Sequence, residues 1–135
     1  MWQADCVGIS WTHTKKAIMN PGELQERLVD FAVQIGTVTD ALPDTRFGRQ
    51  IANQLVRSGT SPMTNYAEAC GAESRRDFIH KLNVSLKEVK ESAVWLTLIL
   101  RAKLIETIDV VSIQDEAEQL GRILGKSVMI ATSRT

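Results

Sequence analysis

The residues best able to do chemistry are carboxylates on two predicted helices, together with one histidine. Glu68, Glu88 and Glu91 could act with His80 as ligands of iron or manganese. Bundles that hold two such metals supply a glutamate from each of two helices and a Glu-x-x-His pair from each of the other two. Here only Asp77 and His80 have that spacing. The ligand set is too small, so the sequence predicts no metal site and no cofactor, and a carboxylate metalloenzyme is the weakest alternative.

Other kinds of catalytic site also lack their motifs. A serine or cysteine nucleophile needs an adjacent base, and neither histidine has a suitable partner in the sequence. Gly59 and Gly71 are isolated, and neither GxxxxGK nor GxGxxG occurs, so no phosphate-binding loop is predicted. We therefore expect no catalytic residues and no enzymatic activity.

Two stripes of polar side chains recur at helical spacing along the predicted second and third helices. The simplest interpretation is that both stripes face water. The alternative is a hydrogen-bonded polar layer between helices or subunits, which would fix register and partner choice more than it would add stability. The candidate residues of this layer or interface are Arg57, Ser58, Ser61, Asn65, Glu68, Ser85, Glu88, Glu91 and Trp95, and Ser92 continues the second stripe.

A group of basic residues on the third helix could contact nucleic-acid phosphates. Its members are Arg75, Arg76, Lys81, Lys87 and Lys90. Glu88 and Glu91 interleave with them in the sequence, which weakens the patch. The whole chain has 16 basic and 16 acidic residues, so it lacks the strong cationic field that nonspecific nucleic-acid binding uses.

The stretch from Ser74 to Leu104 is the predicted centre of the fold. Its apolar residues recur at steps of three and four, which gives one continuous seam on a helix: Ile79, Leu82, Leu86, Val89, Ala93, Leu96 and Leu100. Ser74 and Asp77 form a capping box at its start. From Ala93 to Leu100 this helix is apolar almost all round, more than a monomer requires, so we expect part of it to meet another chain.

The other helices have their own start and stop signals. The first begins after Asn20, with Pro21 at its first position, and ends before Pro43. The second begins after Asp44 or Thr45 and ends at Gly71. The last begins at a capping box of Ser112 and Asp115 and ends near Ala131.

Pro62 leaves two interpretations of the second helix. A proline removes a backbone hydrogen bond and bends a helix, so the chain could form one bent helix or two short helices that separate at Ser61. The apolar period continues across the proline, which favours a single helix.

These patterns predict an all-α protein with an antiparallel up-down-up-down four-helix bundle. The bundle would cover residues 20–132, and residues 1–19 would form an N-terminal arm or tail. No apolar run reaches the ~20 residues of a membrane span, and the N-terminus lacks a secretory signal pattern, so we expect a cytoplasmic protein without membrane contact. Cys6 and Cys70 lack metal-binding spacing and are expected to be free thiols.

The sequence also resembles a known family, the small four-helix-bundle proteins encoded in intervening sequences of bacterial 23S (large-subunit) ribosomal RNA genes. The similarity covers about residues 24–105. It is carried by Arg57-Ser58-x-x-Ser61-x-x-x-Asn65-x-x-Glu68, by Ser74-x-x-Asp77-Phe78-Ile79-x-Lys81-Leu82, and by Leu86-Lys87-Glu88 with Glu91 and Trp95-Leu96. The resemblance implies a single bundle that assembles as a ring, expected to be a pentamer, with no established catalytic activity. Related bundles act as accessory proteins that bind a reverse transcriptase and nucleic acid through a basic surface.

The function that we expect is that of a non-enzymatic, self-associating bundle. It would be a ring-forming homo-oligomer that serves as an adaptor or scaffold, with RNA or an RNA-associated protein as the candidate partner. The alternative is a nucleic-acid-binding accessory protein of the reverse-transcriptase type that uses the basic residues of the third helix.

Overall fold

The computed structural model describes residues 20–133, which form four α-helices joined by short connections. They are α1 (Pro21–Ala41), α2 (Arg46–Cys70), α3 (Arg75–Arg101) and α4 (Val110–Ser133), and this part of the chain contains no strand. Each helix packs antiparallel to the next, and α1 also packs against α4. The predicted all-α fold is confirmed. The predicted arm, residues 1–19, lies outside the described residues, and the division of the chain at residue 20 stays a prediction.

Three of the helices begin at side-chain caps that the sequence predicted. Glu23 donates its backbone N–H to Oδ1 of Asn20 at 2.9 Å, and the Asn20 amide donates back to the Glu23 carboxylate at 3.0 Å. In α3, Asp77 donates its backbone N–H to Oγ of Ser74 at 3.0 Å. Of the two cap candidates for α2, the structure uses Thr45. Because these bonds join residues three apart, the local sequence was sufficient to predict them.

The start of α4 differs from the prediction. The helix begins at Val110, and Ser112 donates its backbone N–H to Oδ1 of Asp109 at 3.1 Å. Asp109 therefore supplies the cap, and the capping box predicted from Ser112 and Asp115 is wrong. Val110 is buried, so packing against the rest of the bundle favours the earlier start.

The end of α3 also comes earlier than predicted. The helix ends at Arg101, three residues before the expected Leu104. Lys103 has a φ of 53°, in the left-handed region. Leu104 donates its N–H to the Ile99 carbonyl at 3.2 Å, and Lys103 donates to the Leu100 carbonyl at 3.2 Å. These two bonds form a Schellman motif, which closes the helix with a lysine where glycine is usual.

Pro62 lies inside α2 without breaking it. The helix is continuous from Arg46 to Cys70, so the alternative of two short helices is wrong. The carbonyl of Pro62 accepts a hydrogen bond from Oγ of Ser85 at 3.0 Å, and the next carbonyl, of Met63, accepts from the Gln25 amide at 3.0 Å. Side chains from α3 and α1 therefore bind the backbone of α2 at the proline and at the residue after it.

The buried face of α3 is rotated from the predicted seam. Leu82, Val89 and Leu96 are fully buried as expected. Two serines lie between them, and one other apolar residue extends the row at each end, so the buried row reads Phe78, Leu82, Ser85, Val89, Ser92, Leu96 and Ile99. Four predicted core residues, Ile79, Leu86, Ala93 and Leu100, are only partly buried at its edge. The sequence pattern placed the seam too far round the helix because serines were not counted as core residues.

Membrane spanning and the state of the cysteines were also predicted. Within residues 20–133, every helix is too short or too polar to span a bilayer.

Cys70 is disulfide-bonded, so the expectation of a free thiol is wrong at that position. Cys6 lies outside the described residues.

Candidate polar layer and interaction faces

Ser58 of α2 and Ser92 of α3 meet inside the bundle. Both side chains are fully buried, and their Oγ atoms are 2.8 Å apart. Ser58 Oγ also lies 3.3 Å from the Leu55 carbonyl, and Ser92 Oγ lies 3.0 Å from the Glu88 carbonyl. Each hydroxyl has one proton, so one serine donates to the other, and the second donates to the carbonyl of its own helix. The pair is satisfied in either direction without water.

Ser85 extends this contact along α3. Its side chain is fully buried, and its hydroxyl donates to the carbonyl of Pro62 on α2. The interpretation of the stripes as solvated faces is therefore wrong for Ser58, Ser85 and Ser92. Small hydroxyl side chains let two helices approach closely while each polar group keeps a partner.

Arg57 bridges the two helices at the edge of the serine contact. Its guanidinium donates to Oε2 of Glu88 at 2.8 Å and also donates to Glu91. Glu91 in turn accepts a bond from the indole N–H of Trp95 at 3.1 Å. The arginine side chain is 49% exposed, so each ion pair contributes only about 0–1 kcal/mol. The two contacts of Arg57 nevertheless join one residue of α2 to two successive turns of α3.

Three other residues of the predicted layer, Ser61, Asn65 and Glu68, bond outside the serine contact. The Asn65 amide donates to Oγ of Ser61 at 2.8 Å, a bond within α2 that does not reach α3. Lys81 donates to Oε1 of Glu68 at 2.9 Å, and this hydrogen bond raises the pKa of the lysine. The structure therefore brings the three buried serines, and Arg57 with its carboxylates, together across α2 and α3. It also joins Glu68 to α3 through Lys81, and it leaves Ser61 and Asn65 bonded within α2.

The same contacts divide the basic residues predicted on the third helix. Arg75 is half-buried and donates to the backbone carbonyl of Ala131 on α4. Lys81 forms an ion pair with Glu68. These two side chains have structural partners, so they are poor candidates for a phosphate contact.

Three of the predicted basic residues face outward. Arg76, Lys87 and Lys90 are exposed, and they make no ion pair with any residue between 20 and 133. Glu88 and Glu91, which interleave with them in the sequence, turn toward α2 and bind Arg57. The expectation that these acidic residues weaken the basic patch is wrong, because a helix places residues that are neighbours in the sequence on different faces.

Two basic residues of α4 complete this surface and were missed. Arg122 and Lys126 are exposed, four residues apart on one side of α4, and without an ion pair to the described residues. Their spacing was visible in the sequence, but the register of α4 on α3 was not. We call the following residues the basic face: Arg76, Lys87, Lys90, Arg122 and Lys126.

A shallow groove of ≈ 560 Å³ runs between α3 and α4 beside the basic face. Four of its lining residues are small or apolar, and the other three are charged. Val94 is 68% exposed there. We call it the α3–α4 groove; its lining residues are Lys90, Ala93, Val94, Ala117, Glu118, Gly121 and Arg122.

The α1–α4 side of the bundle is held by a contact that the sequence did not suggest. Arg27 donates from Nε to Oε2 of Glu116 at 3.0 Å and from Nη2 to Oε1 of Gln119 at 3.3 Å. The hydrogen bond with Glu116 is the main cause of the raised pKa of Arg27. The partners are far apart in the sequence and belong to no motif, so only the fold could show the pair.

The arrangement offers no metal centre within residues 20–133. No group of three or more His, Cys, Asp or Glu side chains there is placed to hold an ion. Glu68, Glu88 and Glu91 are bound by basic side chains, and His80 is exposed.

Comparisons with known proteins agree with this architecture. A family model described as 23S rRNA-intervening sequence protein matches residues 23–126. Among solved structures, the chain is similar to a protein with unknown function from the S23 ribosomal protein family of Bacteroides thetaiotaomicron. The TM-score is 0.74 and the identity 32%, over 82% of this chain and 99% of that chain. No curated protein is significantly similar to the chain.

Proposed function

Because the chain belongs to the 23S rRNA-intervening sequence protein family, we propose that it is a non-enzymatic bundle that self-associates into a ring. The ring would serve as an adaptor or scaffold for RNA or for an RNA-associated protein in the cytoplasm. A pentamer is the ring size that the family resemblance implies.

The exposure of Val94 carries this proposal. The run from Ala93 to Leu100 is apolar almost all round, and its Leu96 and Ile99 face the core. Val94 points away from the core and is 68% exposed, on the lining of the α3–α4 groove. Val94 adjoins Ala93 in the lining of this groove, beside the charged Lys90 and Arg122. An exposed apolar patch with a charged rim is typical of a surface that contacts another protein.

The environment of the buried hydroxyls supports a role without catalysis. Ser58, Ser85 and Ser92 are fully buried, and they bond to one another or to backbone carbonyls. A catalytic serine needs a base that takes its proton and access to substrate. These serines have neither, and their contacts instead fix how α2 and α3 pack.

Size-exclusion chromatography with light scattering on the full chain tests the proposal. We expect a mass several times the 15.0 kDa of one chain. Val94→Ser should shift the equilibrium toward the monomer. Val111→Ser, at a residue that is 61% exposed but outside the α3–α4 groove, should not. A monomer at micromolar concentration for the unaltered chain would contradict self-association.

The basic face favours a second candidate function, binding of nucleic-acid phosphates by an accessory protein. Its five cations lie on adjacent helices without carboxylate partners in the described part of the chain. Gel retardation of a duplex RNA at low salt would test it. Five phosphate contacts would give a plot of log affinity against log salt with a slope of about −4 to −5.

Two double variants, each of which removes two positive charges, provide the test and its control. Lys87→Gln with Arg122→Gln should weaken retardation, whereas Arg46→Gln with Lys103→Gln, at exposed residues outside the basic face, should change it little. Absence of retardation at low salt would rule out this candidate.

A further inference from the structure

The outer side of α1 is acidic and partly apolar. We call the following residues the α1 outer face: Glu26, Val29, Asp30, Val33 and Asp40, all of which are exposed. Val33 is 65% exposed and Val29 36%. The three carboxylates make no ion pair with residues 20–133. Arg27, the one basic residue of α1, points to the other side and binds Glu116.

The α3–α4 groove has the opposite charge and a matching shape. Ala93, Ala117 and Gly121 are small, so another helix could approach closely, and Val94 offers an apolar contact. The charged residues of its lining are Lys90, Arg122 and Glu118, and two further cations of the basic face, Lys87 and Lys126, lie one helical turn beyond Lys90 and Arg122. An acidic amphipathic helix is the kind of partner that this groove fits.

From these two surfaces we infer that the chain assembles head to tail, with the α1 outer face of one copy docked in the α3–α4 groove of the next. The inference rests on the self-association proposed above and names the surfaces that meet. Glu26 to Val33 covers eight residues of α1 and Lys87 to Val94 covers eight residues of α3, and the ends of each stretch are ~10 Å apart along the helix. Val29 and Val33 can therefore contact Val94 while the carboxylates meet the cations, which gives affinity and orientation together.

The position of the helices favours a head-to-tail contact over a symmetric dimer. α1 packs against α2 and α4 but not against α3, so α1 and α3 lie at diagonal corners of the bundle. A two-fold contact through either surface would place like charges together. The groove lies between α3 and α4 rather than on α3 alone, so it is not directly opposite α1. Each copy that docks there is therefore rotated relative to the previous one. Repetition of a rotated contact can close into a ring.

The apolar part of the groove favours protein over nucleic acid as its occupant. Phosphates need cations and donors, and the exposed Val94 and the alanines offer neither. If RNA is nevertheless the occupant of the groove, substitution of its cations should weaken RNA binding and leave the mass of the assembly unchanged.

Charge reversal on each surface tests the inference in the full chain. The first variant is Glu26→Lys with Asp30→Lys, and the second is Lys90→Glu with Arg122→Glu. In each, the two docking surfaces have the same sign, so we expect light scattering to show the 15.0 kDa monomer. The four substitutions combined in one chain restore opposite signs and the original net charge, and should restore the mass of the unaltered protein.

A control separates the surface effect from net charge. Glu73→Lys with Glu106→Lys changes the net charge as the first variant does, at exposed connections outside both surfaces, and should leave the assembly intact. Circular dichroism should show that every variant is helical. If a reversal unfolds the chain, Glu26→Gln with Asp30→Gln replaces it, with partial dissociation as the expected result.

The outcomes distinguish this inference from the proposed function. A monomeric unaltered protein would overturn both. Reversal variants that keep the mass of the unaltered assembly would overturn the assignment of the two surfaces while self-association stands. That assignment would also be overturned if the second variant loses RNA retardation but stays assembled, or if the four combined substitutions leave a folded monomer.

Discussion

A Cβ atom built on Gly59 of α2 would lie 2.6 Å from Cγ2 of Ile35 on α1. It would also lie 2.7 Å from Cγ1 and 2.9 Å from Cβ of the same isoleucine. Ile35 is fully buried, so its side chain has little room to move away. The glycine therefore permits a close approach of the two helices that any other residue would prevent.

We expect Gly59→Ala to destabilise the protein despite the higher helix propensity of alanine. Overpacking of a filled site costs about 1–3 kcal/mol. Gly36→Ala is the control, because a Cβ there meets nothing within 4 Å, and it should stabilise α1 by up to about 1 kcal/mol. Equilibrium urea unfolding measures both changes. Equal stabilisation by the two substitutions would show that the helices are not this close.

The buried contact between Ser58 and Ser92 should be visible as a coupling energy. We expect Ser58→Ala and Ser92→Ala to show a non-additive effect of about 0.5–1.5 kcal/mol in a double-mutant cycle, since each removes the same bond. Ser127, which is buried on α4 and donates to the Ile123 carbonyl of its own helix, provides the control. A cycle of Ser58→Ala with Ser127→Ala should be additive. Additivity in both cycles would argue against the serine contact.

Lys103 should be a site where glycine stabilises the protein. Its φ of 53° is unfavourable for a residue with a Cβ and costs about 1–2 kcal/mol. Lys103→Gly removes this cost but adds freedom to the unfolded chain, so we expect a net gain of about 0.5–1 kcal/mol in the free energy of unfolding. Ala102 has a φ of −81°, so Ala102→Gly should not stabilise. A loss of stability with Lys103→Gly would contradict the left-handed helix end.

Arg57 should contribute a small stabilisation that depends on salt. Its guanidinium is half-exposed, so Arg57→Ala should cost up to about 1 kcal/mol at low ionic strength and less at high ionic strength. Arg46→Ala, at an exposed arginine without an ion pair to residues 20–133, should cost less and show no salt dependence. Urea unfolding at two salt concentrations gives the comparison. A cost that does not change with salt would mean that the side chain acts through packing.

The helices and most of their starts could be predicted from the sequence because the signals are local. Asn20 and Ser74 cap residues only three positions away, and the apolar period identifies each helix without knowledge of its neighbours. The start of α4 was missed because the sequence analysis took Ser112 as the cap, whereas Asp109, three residues earlier, caps the helix. Only the burial of Val110 decides between them.

The candidate surfaces could be predicted only in part, because they depend on which helices are neighbours. Ser92 joins α3 to α2 only because Ser58 of the other helix lies opposite it. Glu91 stands beside a lysine in the sequence, yet Arg57 binds it on a different face. Arg122 joins the basic face only when α4 packs on α3. Each of these relationships joins residues on different helices, for which a single sequence contains no local signal.

The most direct test of self-association into a ring is native mass spectrometry of the full chain, which measures the number of copies in the assembly. We expect one closed species whose mass is a whole multiple of 15.0 kDa, with five copies as the expected number. A single peak at 15.0 kDa over the micromolar range would contradict the ring.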